Sequence, residues 1–166
     1  MVADEEEMIV VGVDGTETSK EVIAWAKKQA EKTKAKIRII MIIREPIYAT
    51  YVPTARMAVS PPSVTDSMHV LQRIVNEVYG ADSLEKIEYV VKRGNPVKLL
   101  VEESRVADLL VLGTHRSTEV PELGSVSRQL ASGSYCPLVL VRPDTPINRE
   151  ERFSISDYAF FRAGHA

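Results

Sequence analysis

The stretch ADLLVLGTHRSTEVPELGSVSRQLASGSYCPLVLVR, residues 107–142, decides the fold. Leu109 to Leu112 is an unbroken apolar run, the pattern of a strand buried on both faces rather than one alternating between core and water. Gly113 ends it, where a buried strand must turn outward. The segment from Thr114 to Leu123 is polar, contains Pro121 and reads as a loop. Gly124-Ser125 opens a helix, with Ser125 as its N-cap or first-turn residue and Leu123, Val126, Leu130 and Ala131 at helical spacing. Gly133-Ser134 closes that helix, and after Pro137 the run Leu138 to Val141 is a second buried strand. A glycine-bearing loop between a parallel strand and a helix N-terminus suits an anion, because backbone N–H groups and the helix dipole converge there.

The same alternation extends upstream. Met8 to Val13 (MIVVGV) reads as a central parallel strand, ending in the turn Asp14-Gly15-Thr16-Glu17-Thr18-Ser19, where Thr18 and Ser19 are candidate N-caps. The helix over about 20–33 carries Val22, Ile23, Ala26 and Ala30 on one face, with Trp25 at the edge of the stripe and read as core. Lys36 to Ile43 is the second strand, stopped by Arg44-Glu45-Pro46. Residues 46–65 hold Pro46, Pro53, Pro61 and Pro62, a long loop of the kind that is usually functional or mobile. A helix over about 65–79 presents Met68, Leu71, Ile74, Val75 and Val78. His69 stands beside that stripe with no second ligand at metal spacing and reads as a half-exposed helix residue. Ile87 to Val91 is the third strand. Asn95 then caps, and Pro96 starts, a helix running to about Arg105.

Five strands alternating with four helices predict an α/β, doubly wound parallel sheet with helices on both faces. Residues 1–143 form the expected domain and 144–166 a C-terminal tail. The tail's mixed charges and its aromatics Phe153, Tyr158, Phe160 and Phe161 leave two readings open, disorder or docking on a partner.

Composition excludes several functions. A net charge of -2 leaves no basic footprint for nucleic acid and no polybasic membrane anchor. The apolar runs are far shorter than the ~20 residues a transmembrane helix needs. The acidic opening MVADEEEM has the wrong charge for a signal peptide, so a cytoplasmic protein is expected. The single Cys136 rules out an internal disulfide and reads as a small buried hydrophobe. There is no P-loop, dinucleotide fingerprint or nucleophile elbow, and His69, His115 and His165 form no evident triad. Glu102 and Glu103, adjacent on a helix, read as solvated. No catalytic constellation is present, and the expectation is not an enzyme.

Several pieces, in order, resemble the universal stress protein family: Val10-Val11-Gly12-Val13-Asp14-Gly15 with Ser19, Arg93-Gly94-Asn95-Pro96, Ala107 to Gly113, Gly124-Ser125-Val126-Ser127 and Cys136-Pro137 to Arg142. The resemblance implies a five-stranded parallel sheet in the order 3-2-1-4-5, Rossmann-like and of the adenine nucleotide alpha hydrolase type. Ligands would then bind between the first and fourth strands, at the topological switch point. It further implies a stress-response module holding an adenine nucleotide such as ATP or AMP, without catalysis. Asp14, beside Val13, and Ile42 would face the adenosine. Leu112, Gly113, Arg116, Gly124, Ser125, Val126 and Ser127 would face the ribose and phosphates.

Nucleotide-binding members of that family carry G-x2-G-x9-G-[ST]. Gly113 and Gly124-Ser125 match its ends, but Arg116 replaces the second glycine and the following spacer is two residues short. That departure resembles the branch that does not bind ATP, so a non-nucleotide-binding interaction protein with a protein partner stands as the alternative. Asp14 would then only hold its turn, Gly113 only let the strand exit, and Ser125 only start a helix. In either case the resemblance implies a homodimer through Leu138, Val139, Leu140 and Val141, an apolar edge strand that needs a cover.

Overall fold

A computed structural model describes residues 6–45, 62–80, 87–114 and 124–142. Of the expected long loop over 46–65, residues 46–61 lie outside the described residues, and α2 already begins at Val64; His115, Arg116 and the tail beyond Arg142 also lie outside them. Nine elements follow in strict alternation: β1 (Met8–Val13), α1 (Thr18–Thr33), β2 (Lys36–Ile43), α2 (Val64–Tyr79), β3 (Ile87–Arg93), α3 (Pro96–Glu103), β4 (Leu109–Gly113), α4 (Ser125–Gly133) and β5 (Leu138–Val141). The strands form one parallel sheet in the order β3-β2-β1-β4-β5. The expected fold class and strand order are both found.

The unbroken apolar runs are explained by burial on both faces, divided by the two-residue pleat. Ile9, Val11, Ile37, Ile39, Met41, Ile43, Val111, Val139 and Val141 point to one side. They pack there with Val22, Ile23 and Ala26 of α1 and Leu71, Ile74 and Val75 of α2. Val10, Ile40, Leu110, Leu112 and Leu138 point to the other side, where Leu100 of α3 and Leu130 of α4 meet them. Trp25 packs against the first cluster, as its place at the stripe's edge predicts. Cys136 lies buried in the second, and burial pushes its thiol up to about 11, so it behaves as a hydrophobe.

Several local expectations change. Thr18 and Ser19 are not N-caps: α1 begins at Thr18, and its N-cap is Glu17, which makes no side-chain cap bond. The Ser19 and Thr16 hydroxyls bond the carboxylate of Asp14 instead. Ser125 is a first-turn residue, and Gly124 takes the N-cap place of α4. Asn95 does cap α3, accepting from the Lys98 N–H at 3.2 Å, with Pro96 in the first turn. α3 ends at Glu103 rather than near Arg105.

The largest correction concerns Glu103, which is not solvated. Its side chain is 6% exposed and bonds Lys92 Nζ at 2.5 Å and Arg38 Nη1 at 3.1 Å; Arg38 also pairs with Glu88 at 2.9 Å. Glu103 stands three residues after the buried Leu100, hence on the same helix face. Arg38 and Lys92 emerge from β2 and β3 on the sheet face that carries Ile40 and Ile42. Burial alone would raise the Glu103 carboxyl, but the hydrogen bonds from Lys92 and Arg38 outweigh it and hold the group below the usual carboxylate value.

The two sheet edges differ. β3 carries Glu88, Lys92 and Arg93, charges that blunt an edge against pairing, whereas β5 carries none. No helix of the described residues is long and apolar enough to cross a membrane.

Candidate functional site

β1 and β4 are neighbours whose following helices lie on opposite faces, so the chain parts between their carboxyl ends and leaves a crevice. A cavity of about 290 Å³ opens there. Its floor is the end of three strands in register: Ile40 of β2, Gly12 of β1 and Leu112 of β4 are paired neighbours. Ile42 extends the apolar wall on the β2 side, Leu100 of α3 lies over Gly12 with Pro96 also lining the cavity, and Gly124, Ser125, Val126 and Ser127 close the β4 side.

Nine of the ten residues singled out by sequence line this cavity: Val13, Asp14, Ile42, Leu112, Gly113, Gly124, Ser125, Val126 and Ser127. The tenth, Arg116, falls outside the described residues. Sequence reasoning does not single out Gly12, Thr18, Ser19, Val22, Ile40, Arg44, Pro96, Leu100 and Thr114, which line it as well. The pleat supplies a signal for two of them. Once Ile42 is placed in the cavity, period two along β2 puts Ile40 and Arg44 on the same face.

Three glycines of the cavity stand there for different reasons. A Cβ on Gly12 would come within 2.4 Å of Leu112 Cδ2, and one on Gly113 within 2.9 Å of Val22 Cγ2. Packing accounts for both. Gly124 is different: among the described residues a Cβ there would meet nothing within 4 Å, and its φ of -56° is open to every residue. Neither fold nor backbone conformation requires glycine at that position.

Gly124 immediately precedes α4 and offers no side chain to bond the N–H groups of the first helical turn. Those groups carry the positive end of the helix dipole and gather at the cavity wall. By contrast, α3 is capped by Asn95 at the same end of the sheet.

Asp14 sits at the end of β1. Its Oδ1 accepts from the Thr16 N–H at 3.0 Å, the Thr16 hydroxyl at 2.6 Å and the Ser19 hydroxyl at 3.1 Å. This Asx turn is carried through Gly15, whose φ of 82° is left-handed. Asp14 therefore has the turn-holding role set out as one of its two readings, with its side chain in the cavity wall. Asp14 and Arg44 are the two charged residues among the described residues that line the cavity. No group of three or more His, Cys, Asp or Glu able to hold a metal ion stands among the described residues.

The family model described as "Universal stress protein family" matches residues 7–142. Among curated proteins, the chain is 29% identical over 149 residues to universal stress protein Rv2028c of Mycobacterium tuberculosis, covering 86% of this chain and 50% of that one. It is 27% identical over 136 residues to universal stress protein Rv3134c of the same organism, covering 81% and 48%. The chain thus spans about half the length of the curated relatives it matches. Among solved structures, a universal stress protein in complex with cAMP superposes with a TM-score of 0.59 at 26% identity, covering 83% of this chain and 98% of that one. One from Archaeoglobus fulgidus in complex with dAMP shares the fold, with a TM-score of 0.55 at 14% identity over 81% and 96% of the two chains.

Proposed function

We propose that this chain, which belongs to the universal stress protein family, is a binding module that holds an adenine nucleotide in the crevice between β1 and β4 and carries out no catalysis of its own. The observation that carries the reading is Gly124, a glycine that neither φ nor packing among the described residues explains, beside the first turn of α4. A glycine in that setting serves close approach by a guest, and the N–H groups behind it suit a phosphate. The apolar wall of Ile40, Ile42 and Leu100 suits a base, and Asp14 lies between the two. A solved relative at 26% identity is in complex with cAMP, which supports an adenine nucleotide as the class of guest.

Thermal unfolding with AMP, ATP and cAMP tests the reading. Ligand at about 100 times its Kd stabilises a binder by about 2.7 kcal/mol, or roughly 5–10 °C for a domain of this size. Gly124→Val should abolish that shift while leaving the melting point without ligand within about 2 °C, because its Cβ meets nothing within 4 Å among the described residues. No shift with any nucleotide would favour the alternative, an interaction protein of the same fold. Two observations favour that alternative: Arg116 in place of a glycine, and Asp14 already engaged in its own turn.

We also propose that two copies associate through β5. Support comes from the contrast between its uncharged LVLV and the charged β3 edge. Sedimentation equilibrium should give a dimer, and Leu140→Lys should give a folded monomer. A monomeric wild-type protein at tens of micromolar would end the proposal. Residues 144–166 are proposed to pack on the partner copy, and a truncation after Arg142 should then weaken the dimer. A cytoplasmic setting likewise remains a proposal, resting on the family and on composition.

A further inference from the structure

Within the nucleotide-binding reading, on which this inference rests, we infer that Arg44 is the residue that recognises the base, by laying its guanidinium plane against it. Arg44 follows β2 and lines the cavity on the same pleat face as Ile40 and Ile42. It is the one cation among the described residues that does so, and it is exposed. It takes part in no hydrogen bond or ion pair among the described residues, unlike Arg38, which is held by Glu88 and Glu103. A long cation with no partner among the described residues, at the mouth of an apolar wall, is available to a ligand.

Its position separates the two roles open to an arginine. Strands lie about 4.8 Å apart, so β2 and β4 are separated by roughly 10 Å across β1. The α4 N-terminus, on the β4 side, takes the phosphate end, and the ends of a nucleotide are separated by a distance of that order. Arg44 therefore stands with Ile40, Ile42 and Leu100 at the end where the flat ring lies. A guanidinium there stacks on a π face, and, being planar and weakly hydrated, does so in a way that an ammonium does not reproduce.

The test measures Kd by calorimetry for AMP and for ribose 5-phosphate, which keeps the phosphate and lacks the base. Wild type, Arg44→Ala and Arg44→Lys are compared. Because Arg44 is exposed and holds no partner among the described residues, both variants should fold, and a thermal melt confirms it. Arg44→Ala should weaken AMP roughly 5- to 10-fold, the range of a partly desolvated cation–π contact, and Arg44→Lys by nearly as much. Ribose 5-phosphate binding should be unchanged by either. Restoration by lysine, equal losses for both ligands, or no loss at all would overturn the assignment while leaving nucleotide binding intact. Failure of the wild type to bind AMP would overturn both.

Discussion

On the nucleotide-binding reading, replacing Asp14 by alanine should abolish nucleotide-induced stabilisation and also destabilise the free protein by about 1–3 kcal/mol, the cost of leaving the buried Ser19 hydroxyl without its acceptor. The two effects have one origin. Asp14 Oδ1 gathers the Thr16 N–H, the Thr16 hydroxyl and the Ser19 hydroxyl. Ser19 is 2% exposed, so its hydroxyl loses its acceptor without gaining water. The turn that places the start of α1 against the cavity loosens with it. Asp14→Asn separates the causes. Its amide oxygen still accepts at Oδ1, so most of the stability should remain. The charge is lost, and AMP affinity should fall about 10-fold or more, the scale of a hydrogen bond to a charged group. An Asn variant that binds as tightly as the wild type would reduce Asp14 to a turn residue. Chemical denaturation for stability and calorimetry for affinity read the two effects independently.

Glu103→Ala should cost about 2–4 kcal/mol. This is somewhat below the ~3–5 kcal/mol of a fully buried pair broken on one side, because the stranded partners can reach water. Arg38 and Lys92 are 26% and 41% exposed, and each can turn outward once the carboxylate is gone. The melting point should drop by roughly 5–12 °C. The pH dependence follows from the direction of the Glu103 shift. Its carboxyl in the folded protein lies below the value in the unfolded chain, so the unfolded state binds the proton more readily. The stabilisation is fully present above the unfolded value of about 4.3 and is lost as pH falls through the folded value. The difference in stability between wild type and Glu103→Ala should therefore hold steady from about pH 7 to about pH 5 and shrink on further acidification. A difference that persists unchanged at about pH 3 would assign the cost to lost packing rather than to the ion pairs. Glu103→Gln, which keeps an acceptor, should cost less than alanine.

The architecture is legible in the sequence because burial on both faces leaves a plain mark. MIVVGV, KIRIIMII, LLVL and LVLV are short apolar runs of the kind found in strands of a parallel sheet covered on both faces, and all four are strands. The cavity is legible at Asp14, Gly113 and Gly124 because those residues carry the resemblance to the family's motif. It is not legible at Ile40, Leu100 and Pro96, because an apolar cavity wall has the same composition as a core. Arg44 reads only as the stop of a strand, since nothing in sequence distinguishes a cation at a cavity mouth from a solvated one. Glu103 is hidden for another reason. Two adjacent glutamates look alike in sequence, yet helical periodicity turns them to different sides: Glu102 is exposed, and Glu103 follows Leu100 inward. The hydroxyls of Thr18 and Ser19 suggest caps for their own helix because no sequence rule weighs that bond against a carboxylate several residues upstream.

The unlike borders of the sheet bear on how large an assembly can grow. In the proposed dimer, a second molecule lying along LVLV would complete that side for both copies by the same symmetric contact, leaving nothing of the kind among the described residues to offer a third. What the pair then turns outward is twice the rim bearing Glu88, Lys92 and Arg93. Such rims discourage further addition, so the proposed dimer would be a closed unit, with fibre formation disfavoured without any separate device to prevent it.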